Sequence, residues 1–520
     1  MALAASYTQV LSDPVVLVSI LAAISVAFIA PNLLSYWALG KYPLNGGQYG
    51  SYPKRLMAFI SHAEQMYGEG YGKFKNAVYR MTTADGERLI VPNTYLDELR
   101  QRPDSEINNA KALKMAIEGR YTGMSADSPF LNHVVKADLT RNLPRINPRL
   151  SEEVDRSVKT ELPPCEDWTP IVINQALLRI VAIVSGHIFL GPELCRREEY
   201  LHASINYTVD VFKAVRALKK WPTVIRPFGA WFTPELASIK EHKQRAKEFL
   251  IPIIQERRAM MARGEEMPDD MLQWMLEKSV PGHNPTTETK MEDDAEMAFL
   301  QLTLSMAAIH TTSMTATHIL YDIAAHPEII SDLRDEIKTV LKETDGVMST
   351  HALFQMKLLD SVMRESQRVN PLSMARFARY VEKPITLRDG TNLPAGVVIE
   401  APHVAITMDP EFYPEPEKFD PYRFYRIRTG EAADPIGYKN TEQYQFVTVT
   451  KENMGFGYGR HACPGRFFAA NEIKLIMARL LLDYDVKMPE GQTARYKNLV
   501  VGPSVIPDPK REILLKRVTY

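Results

Sequence analysis

The stretch that decides the fold lies late in the chain and reads Gly455-Phe456-Gly457-Tyr458-Gly459-Arg460-His461-Ala462-Cys463-Pro464-Gly465-Arg466-Phe467-Phe468. Its alternating glycines allow a tight, irregular backbone that comes close to a neighbouring group. Pro464 suits the first turn of a helix, and apolar residues repeat at helical spacing from Ile473 to Leu481. We therefore predict a rigid loop that leads into a buried helix, with Cys463 at the N-terminus of that helix.

The position of Cys463 favours a thiolate, because a helix N-terminus and nearby N–H donors lower the pKa of a thiol. Only three cysteines occur, so neither a disulfide framework nor a CxxC zinc site is expected, and a reducing compartment is favoured. Cys165 and Cys195 are interpreted as small buried apolar residues. A single thiolate on a rigid loop suits one axial bond to a haem iron. The simpler alternative is a buried cysteine that caps a helix.

The whole stretch resembles the haem-binding loop of the cytochrome P-450 superfamily of haem-thiolate monooxygenases, F-x-x-G-x-R-x-C-x-G. The positions that match are Phe456, Gly459, Cys463 and Gly465. The resemblance implies that Cys463 is the axial ligand of the haem iron and that Gly457 belongs to the loop against the cofactor. The arginine that contacts a haem propionate in the family is replaced by His461, with Arg460 beside it. Either of these two residues is a candidate for that contact.

A second pair of motifs predicts a support for this loop. Glu365 and Arg368 are three residues apart and share one helix face, although E-x-x-R alone is common on surface helices. Downstream, the stretch 419–424 lies in a proline-rich region and resembles the family's P-E-R-F segment, whose arginine is Arg423 here. The resemblance implies a structural triad of Glu365, Arg368 and Arg423 that locks the loop behind the haem.

A long helix is predicted from about Met291 to Ala325, on the order of 50 Å in length. Its centre, Ala307-Ala308-Ile309-His310-Thr311-Thr312-Ser313, resembles the family's oxygen-activating helix. The resemblance implies that Ala307 lies close to the flat cofactor and that Thr311 relays protons to bound O2. The usual acid is replaced by His310, which can also shuttle protons near neutral pH. The alternatives are a threonine bonded back to its own helix and a satisfied core histidine.

Further basic residues are candidates for the haem propionates. The family's W-x-x-x-R helix has no tryptophan here, and the stretch that could replace it contains His133, Lys136 and Arg141. Arg376 and Arg379 follow Pro371 in a predicted strand, where family members commonly contact propionates. Each of these residues could equally be a surface charge.

The composition is that of a folded globular protein, with 520 residues of which 45% are hydrophobic and 24% charged. A net charge of -1 provides no general field for nucleic acid, and none is expected as a partner. Strand signals near Ala77–Met81 and Arg88–Val91 precede a helix-rich region. We predict a mainly α fold with smaller β sheets (α+β), that of the cytochrome P-450 family. Length alone suggests three or four domains, but the motifs favour one haem-thiolate domain over 42–520.

The N-terminal residues 1–41 are predicted to be a membrane anchor. No charge occurs from Pro14 to Gly40, and the segment from about 15 to 39 is long enough to cross a bilayer as a helix. Lys41 and later basic residues follow it, which places the body of the chain in the cytosol. A cleaved signal peptide is the alternative. We expect a single-pass protein of the endoplasmic reticulum membrane, with the sequon at Asn206 left unmodified.

The resemblance implies a monooxygenase with haem b, O2 as co-substrate, and electrons from NADPH through a separate NADPH-cytochrome P-450 reductase, with cytochrome b5 as a further candidate partner. The motifs look like those of fungal enzymes of secondary metabolism, many of which oxidise terpenoids and some of which are similar to ent-kaurene oxidase. The resemblance therefore implies a lipophilic substrate such as a terpenoid. Basic residues that could bind an acidic redox partner are Lys136, Arg141, Arg145, Arg149, Lys451, Arg460 and Arg466. Substrate contacts are expected from Ala110–Asn132, Tyr207–Phe232, Ser305–Thr312 and Leu372–Phe377. The alternatives are a haem-thiolate isomerase, desaturase or dehydratase, and a non-catalytic haem-binding relative.

Overall fold

The computed structural model describes residues 38–124, 128–221, 223, 225–279 and 293–518. Nearly all of the predicted membrane anchor therefore lies outside the described residues. Within them, one helix, Ile173–Leu190, is long and apolar enough to cross a membrane. Two thirds of that helix is buried inside the protein, so it is interpreted as a core helix.

Helices form most of the described chain. In chain order they are α1 (Tyr52–Phe74), α2 (Leu96–Leu99), α3 (Asn109–Ala116), α4 (Gly119–Thr122), α5 (Pro129–Val134), α6 (Leu143–Glu161), α7 (Ile173–Leu190), α8 (Glu198–Lys219), α9 (Arg226–Gly229), α10 (Glu235–Arg263), α11 (Met271–Ser279), α12 (Asp294–Ala325), α13 (Ile330–Glu343), α14 (Thr350–Gln355), α15 (Lys357–Val369), α16 (His403–Thr407), α17 (Arg423–Thr429) and α18 (Arg466–Asp483). A π-helical turn, Val135–Leu139, continues α5.

The ends of the long helices follow local chemistry. The side chain of Asp293 caps α12 by accepting a hydrogen bond from the amide of Ala295. The helix α15 ends at Val369, just before Asn370-Pro371, because a residue that precedes proline disfavours the helical conformation. The helix α18 begins at Arg466 rather than at Pro464, so the predicted start is two residues early.

The strands are short and form small sheets. They are β1 (Leu44–Asn45), β2 (Tyr79–Thr83), β3 (Gly86–Ile90), β4 (Ile107–Asn108), β5 (Thr169–Ile171), β6 (Arg376–Val381), β7 (Ile385–Thr386), β8 (Asn392–Leu393), β9 (Val398–Ala401), β10 (Tyr484–Lys487), β11 (Leu499–Val501), β12 (Ser504–Ile506) and β13 (Ile513–Arg517). A six-stranded sheet has the order β1-β2-β3-β9-β6-β4, and a three-stranded sheet has the order β10-β13-β5. The predicted first strands correspond to β2 and β3.

A β-bulge in β6 sets the direction of two arginines. Arg376 lies opposite Ala401 on β9, whereas Arg379 lies opposite Ile399. Three steps along β6 therefore match two steps along β9, and the two arginines face the same side of the sheet. Phe377, between them, has a φ of 59°, a left-handed conformation that few residues other than glycine adopt.

The long helix α12 runs through the centre of the protein, where it packs against α7, α8, α10, α15 and α18. The largest apolar cluster joins these helices, and it includes the buried residues Cys165 and Cys195, as predicted for both cysteines. The described residues thus confirm the predicted fold class, mainly α with smaller sheets. The fold brings the N-terminal end of α18 and the middle of α12 to the same core.

Candidate functional site

The cysteine loop is closed by its own backbone. The amide of Cys463 donates to the carbonyl of Phe456 over 2.8 Å, and the amide of Gly457 donates to Met454 over 2.8 Å. Gly457 and Gly459 have φ angles of 81° and 73°, so both need the left-handed freedom of glycine. A Cβ at Gly459 would also lie 3.0 Å from the side chain of Arg100. The predicted rigid loop is therefore present, with Cys463 at its end.

Cys463 is exposed, unlike the other two cysteines. Its thiol receives hydrogen bonds from the amides of Gly465 and Arg466 at the start of α18. Cys463 is accessible to solvent, but the surrounding protein atoms partly desolvate its thiol and raise the pKa of that thiol; these amides together with the guanidiniums of Arg466 and Arg376 act against that rise. The helix terminus alone therefore does not bring the pKa of this thiol below its ordinary value. Coordination of a metal ion would deprotonate the thiol.

The middle of α12 is open on one side. Ala307 and Thr311 lie one helical turn apart, and both are exposed although the helix runs through the core. The hydroxyl of Thr311 donates to the carbonyl of Ala307 over 2.8 Å, the back-bonded arrangement expected as an alternative. The open face thus consists of a small residue and a hydroxyl, with space beside them.

His310 faces another direction. Its Nε2 nitrogen lies 2.8 Å from the carbonyl oxygen of Ile205 on α8, and burial lowers the pKa of its imidazole. This contact matches the alternative of a satisfied core histidine. The structure does not bring the ring of His310 into contact with Thr311, so a proton relay through both residues stays a prediction.

Arg376 and Arg379 are cations without carboxylate partners among the described residues. Arg379 is buried, and its Nη1 donates to Oδ1 of Asn109 over 2.6 Å and to a backbone carbonyl. Burial lowers the pKa of Arg379 to about 10. The Nε of Arg376 has no hydrogen-bond partner in the described structure, and its guanidinium interacts with Cys463. Such buried cations call for an anion.

The two basic residues of the loop meet one carboxylate. Asp104, in the turn before β4, has its Oδ1 2.9 Å from Nη2 of Arg460 and 2.9 Å from Nε2 of His461. Burial lowers the pKa of His461, with a contribution from Arg379, while Asp104 opposes the shift. Sequence reasoning missed Asp104 because it lies more than 350 positions from its partners.

The predicted triad is assembled. Arg368 donates from Nε and Nη2 to the two carboxylate oxygens of Glu365, each over 2.8 Å, and Nε of Arg423 donates to Oε1 over 3.0 Å. Glu365 and Arg368 are fully buried. Further donors of the two arginines bind carbonyls of Thr407, Pro414, Glu415 and Lys418. The triad therefore holds the segment 407–423 against α15.

A second group of buried charges on α15 was not predicted. Asp360 accepts from Nζ of Lys474 over 2.8 Å and from Nη1 of Arg428 over 3.0 Å, which joins α15 to α18 and α17. Lys474 and Arg428 restrain the pKa of Asp360 below its ordinary value against the effect of burial. Arg364, one turn later on α15, is fully buried and binds the carbonyl of Gln445. The spacing of Asp360 and Arg364 on one helix face was the available signal.

Other sequence candidates lie apart from these contacts. His133 is in α5 and Lys136 follows in the π-helical turn, with no ion pair for Lys136 or Arg141 among the described residues. His403, which was not predicted, is fully buried beside Arg376, and neither ring nitrogen has a partner in the described structure. Burial and that arginine lower the pKa of His403 to about 3.

The residues present fit a haem. One exposed sulfur lies at the start of α18, and small or hydroxyl side chains leave the middle of α12 open. Arg376 and Arg379 share one face of β6 and lack carboxylate partners in the described chain, which suits the propionates of a haem. These three features are the sulfur, space and positive charge that the cofactor needs.

This combination of fold and site defines the haem-thiolate class of proteins. The family model described as Cytochrome P-450 matches residues 127–514, and the chain belongs to that family. The protein is a haem-thiolate monooxygenase, with a cysteinate as the protein ligand of its haem and O2 as co-substrate.

Curated relatives match over most of their length. The cytochrome P-450 monooxygenase braC of Annulohypoxylon truncatum is 36% identical over 97% of this chain and 99% of its own. The cytochrome P-450 monooxygenase paxP of Penicillium paxilli is 36% identical over 88% of this chain and 86% of its own. Cyanobacterial CYP120A1, solved with retinoic acid bound, matches 92% of this chain and 99% of its own with a TM-score of 0.67. At 17% identity, that match shows the shared fold alone.

Proposed function

We propose that Cys463 is the axial ligand and that the protein hydroxylates, or otherwise oxidises, a lipophilic secondary metabolite such as a terpenoid. The observation that carries the proposal is the exposed sulfur of Cys463, which receives two amide hydrogen bonds at the start of α18. A haem held there by Cys463 would supply the oxidising chemistry for an unactivated C–H bond with O2. The protein residues bind and orient the substrate and deliver protons.

Thr311 is the proposed proton-handling residue. A hydroxyl donates one hydrogen bond and accepts others, so Thr311 can keep its bond to Ala307 and still accept a hydrogen bond from a water on its exposed side. That water would be held where protons are consumed. His310 is proposed to fix the position of α12 against α8 through the carbonyl of Ile205.

The surroundings of α12 support a lipophilic substrate. An apolar cluster joins α8, α10 and the first half of α12, and its buried members are Met124, Tyr207, Val211, Ala214, Val215, Ile239, Ala246 and Leu302. Phe299 and Met306 pack against it from α12. Six of these residues, Met124, Tyr207, Val211, Ala214, Val215 and Met306, belong to the segments expected to contact substrate, whereas Ile239, Ala246, Phe299 and Leu302 lie outside them. All of them offer apolar surface without a fixed anion-binding group.

We propose NADPH-cytochrome P-450 reductase as the electron donor, with cytochrome b5 as a further candidate. The basic surface for such a partner is smaller than the sequence suggested, because Arg145 and Arg149 both pair with Asp269, and Lys451 pairs with Asp97. Lys136, Arg141 and Arg466 keep their charge free of ion pairs within the described residues. They are the proposed docking charges.

We also propose the division into an anchor, residues 1–41, and a haem domain, residues 42–520, at the endoplasmic reticulum membrane. An exposed aromatic group supports contact with lipid: Phe228, Trp231 and Phe232 are 62%, 82% and 74% exposed. The sequon at Asn206 provides the topology test. Glycosylation at that position in cells would place the haem domain in the lumen and overturn the proposal.

The first experiment tests the ligand. The reduced carbon monoxide complex of the purified protein should show the red-shifted Soret band of thiolate-ligated haem, and Cys463→Ser should abolish it. Cys195→Ser, a change at a buried cysteine, is the matched control and should keep the band. Retention of the band in Cys463→Ser would refute the assignment.

The second experiment tests the reaction. With a substrate found by spectral titration against terpenoids and other lipophilic metabolites, oxygen from labelled O2 should enter the product as NADPH is consumed. Thr311→Ala should divert NADPH to peroxide, whereas Thr315→Ala, one turn further along α12, should not. Product without label and without NADPH use would instead indicate an isomerase or dehydratase.

A further inference from the structure

The side chain of Asp104, in the turn 103–106 between α2 and β4, contacts the cysteine loop. Oδ1 of Asp104 lies 2.9 Å from Nη2 of Arg460 and 2.9 Å from Nε2 of His461. Nη2 of Arg460 also donates to the carbonyl of Arg102 in the same part of the chain. One carboxylate oxygen therefore joins this turn to both basic residues that precede Cys463.

The charges around this contact do not balance. Arg379 and Arg460 are two guanidinium groups, and Asp104 is the only carboxylate that pairs with this basic group among the described residues. Arg379 is buried and bonds only to neutral oxygens, those of Asn109 and of the backbone. Asp104 is already engaged by Arg460 and His461, so the guanidinium of Arg379 is left without a carboxylate partner among the described residues. A single propionate carboxylate would pair with it.

The carboxylate of Asp104 also restricts the orientation of the His461 imidazole. One ring nitrogen of His461 is engaged by Asp104, and Nε of Arg460 lies 3.1 Å from that same nitrogen. The other nitrogen, Nδ1, is the one left to bind a further group. A carboxylate that holds one side of a histidine fixes both the orientation of the ring and the direction in which its second nitrogen points.

We propose that Asp104 is a positioning residue for the haem, which fixes His461 and Arg460 so that His461 and Arg379 together bind one propionate. The proposal rests on the proposed haem site at Cys463. The opposite role for Asp104 is competition with the propionate for the same cations, and the rate of haem release distinguishes the two.

The test is haem release from the full-length, haem-loaded protein to an excess of apomyoglobin. Asp104→Asn preserves the size of the side chain and removes its charge. If Asp104 positions the basic residues, release should be about fivefold faster, as expected for the loss of a partly exposed ion pair. Unchanged or slower release would overturn the proposal, and slower release would indicate competition.

The matched control is Asp167→Asn, another exposed carboxylate that pairs with one lysine, Lys516, over 3.0 Å. It should leave the release rate unchanged.

A double-mutant cycle between Asp104 and His461 provides a measurement that a general loss of stability would not change. If Asp104 acts through His461, then Asp104→Asn should add little to His461→Ala, whereas independent effects would multiply and contradict the proposal.

The failure of this proposal is distinguishable from failure of the haem site itself. The Soret band of the reduced carbon monoxide complex reports ligation by Cys463, and Asp104→Asn should leave it in place. The propionate bending bands in the resonance Raman spectrum should shift in the same variant. An intact Soret band with unshifted propionate bands would reject the role of Asp104 while leaving the ligand assignment intact.

Discussion

The two sides of α12 are built on different physical principles. Towards α15, α17 and α18, buried charges hold the backbone: Glu365 binds two arginines, and Asp360 binds a lysine and an arginine. Towards α8 and α10, the packing is an apolar cluster. Ion pairs are directional and fix one geometry, whereas apolar contacts are non-directional and tolerate repacking. The first side suits a fixed cofactor and the second suits an adaptable substrate site.

The substrate side has its own ion pairs, but they lie at its edge. Arg226, at the start of α9, pairs with Glu118 at the start of α4, and both side chains are buried. Lys219, at the end of α8, binds Asp85 in the turn between β2 and β3 over 2.7 Å. These two pairs connect the α8–α9 segment to the rest of the protein, and a third, between Asp210 on α8 and the buried His242 on α10, links those two helices.

The largest effect is expected from removing a buried carboxylate on the side of α12 that faces α15, α17 and α18. Glu365→Gln leaves the guanidinium groups of Arg368 and Arg423 without their shared carboxylate, at a cost of about 3–5 kcal/mol for uncompensated buried charge. The segment 407–423 should lose its attachment to α15, and the protein should fail to retain haem. The measurement is the ratio of haem to protein after purification.

Glu69→Gln is the control for that experiment. Glu69 pairs with Lys73 one turn away on α1 over 3.7 Å, a surface pair worth little. It should retain the full complement of haem. If Glu365→Gln retained it as well, the view that buried charges fix the cofactor side would be wrong.

This contrast also explains what the sequence could reveal. The cysteine loop and the triad were predicted because each depends on residues in short motifs, Glu365 with Arg368 and Phe456 to Gly465. The contacts that the sequence did not reveal join distant positions, such as His310 with Ile205, 105 residues apart. No local spacing encodes such a contact, because it depends on how α12 and α8 pack.

The same limit applies to the bulge in β6 and to the charges of the loop. Arg376 and Arg379 are three positions apart, which in a regular strand would place them on opposite faces. Only the bulge at Phe377 turns them to one side. The basic residues Arg145 and Arg149 were predicted as part of a docking surface, but both pair with Asp269, more than 100 residues later, which cancels one of their two charges.

A smaller effect on stability is expected from Glu472, a buried carboxyl group that pairs with no cation among the described residues. Glu472 on α18 is fully buried and accepts one hydrogen bond, from Ser185 over 2.7 Å, and burial raises its pKa to about 8. The folded protein therefore holds a proton that the unfolded chain releases above about pH 4.5. Stability should fall by about 1.4 kcal/mol per pH unit between about pH 5 and pH 8 from this group alone.

Glu472→Gln should remove this dependence. The variant should match the parent near pH 5 and exceed its free energy of unfolding by roughly 4 kcal/mol near pH 8.5, as measured by denaturant titration. Asp360→Asn should behave in the opposite way, because the pKa of Asp360 is lowered and its stabilising charge is present at neutral pH. Parallel pH profiles for the parent and Glu472→Gln would show that the carboxyl is ionised in the folded state.

The smallest effect on stability is expected from breaking a buried ion pair at the edge of the substrate side of α12. Glu118→Gln removes the charge that Arg226 binds and should cost about 2 kcal/mol, since Arg226 keeps its hydrogen bonds to the carbonyl of Trp221. The loss should be local: hydrogen exchange should rise in residues 113–121 and 225–232 but not in α18. Haem content should stay complete, because no contact of the triad or the cysteine loop involves this pair.

Glu241→Gln is the control, because it removes an exposed pair with Arg245 on α10. It should change neither the hydrogen exchange nor the haem content. Faster exchange throughout α18, or loss of haem, in Glu118→Gln would mean that the two sides of α12 are held together as one cooperative unit rather than built for different tasks.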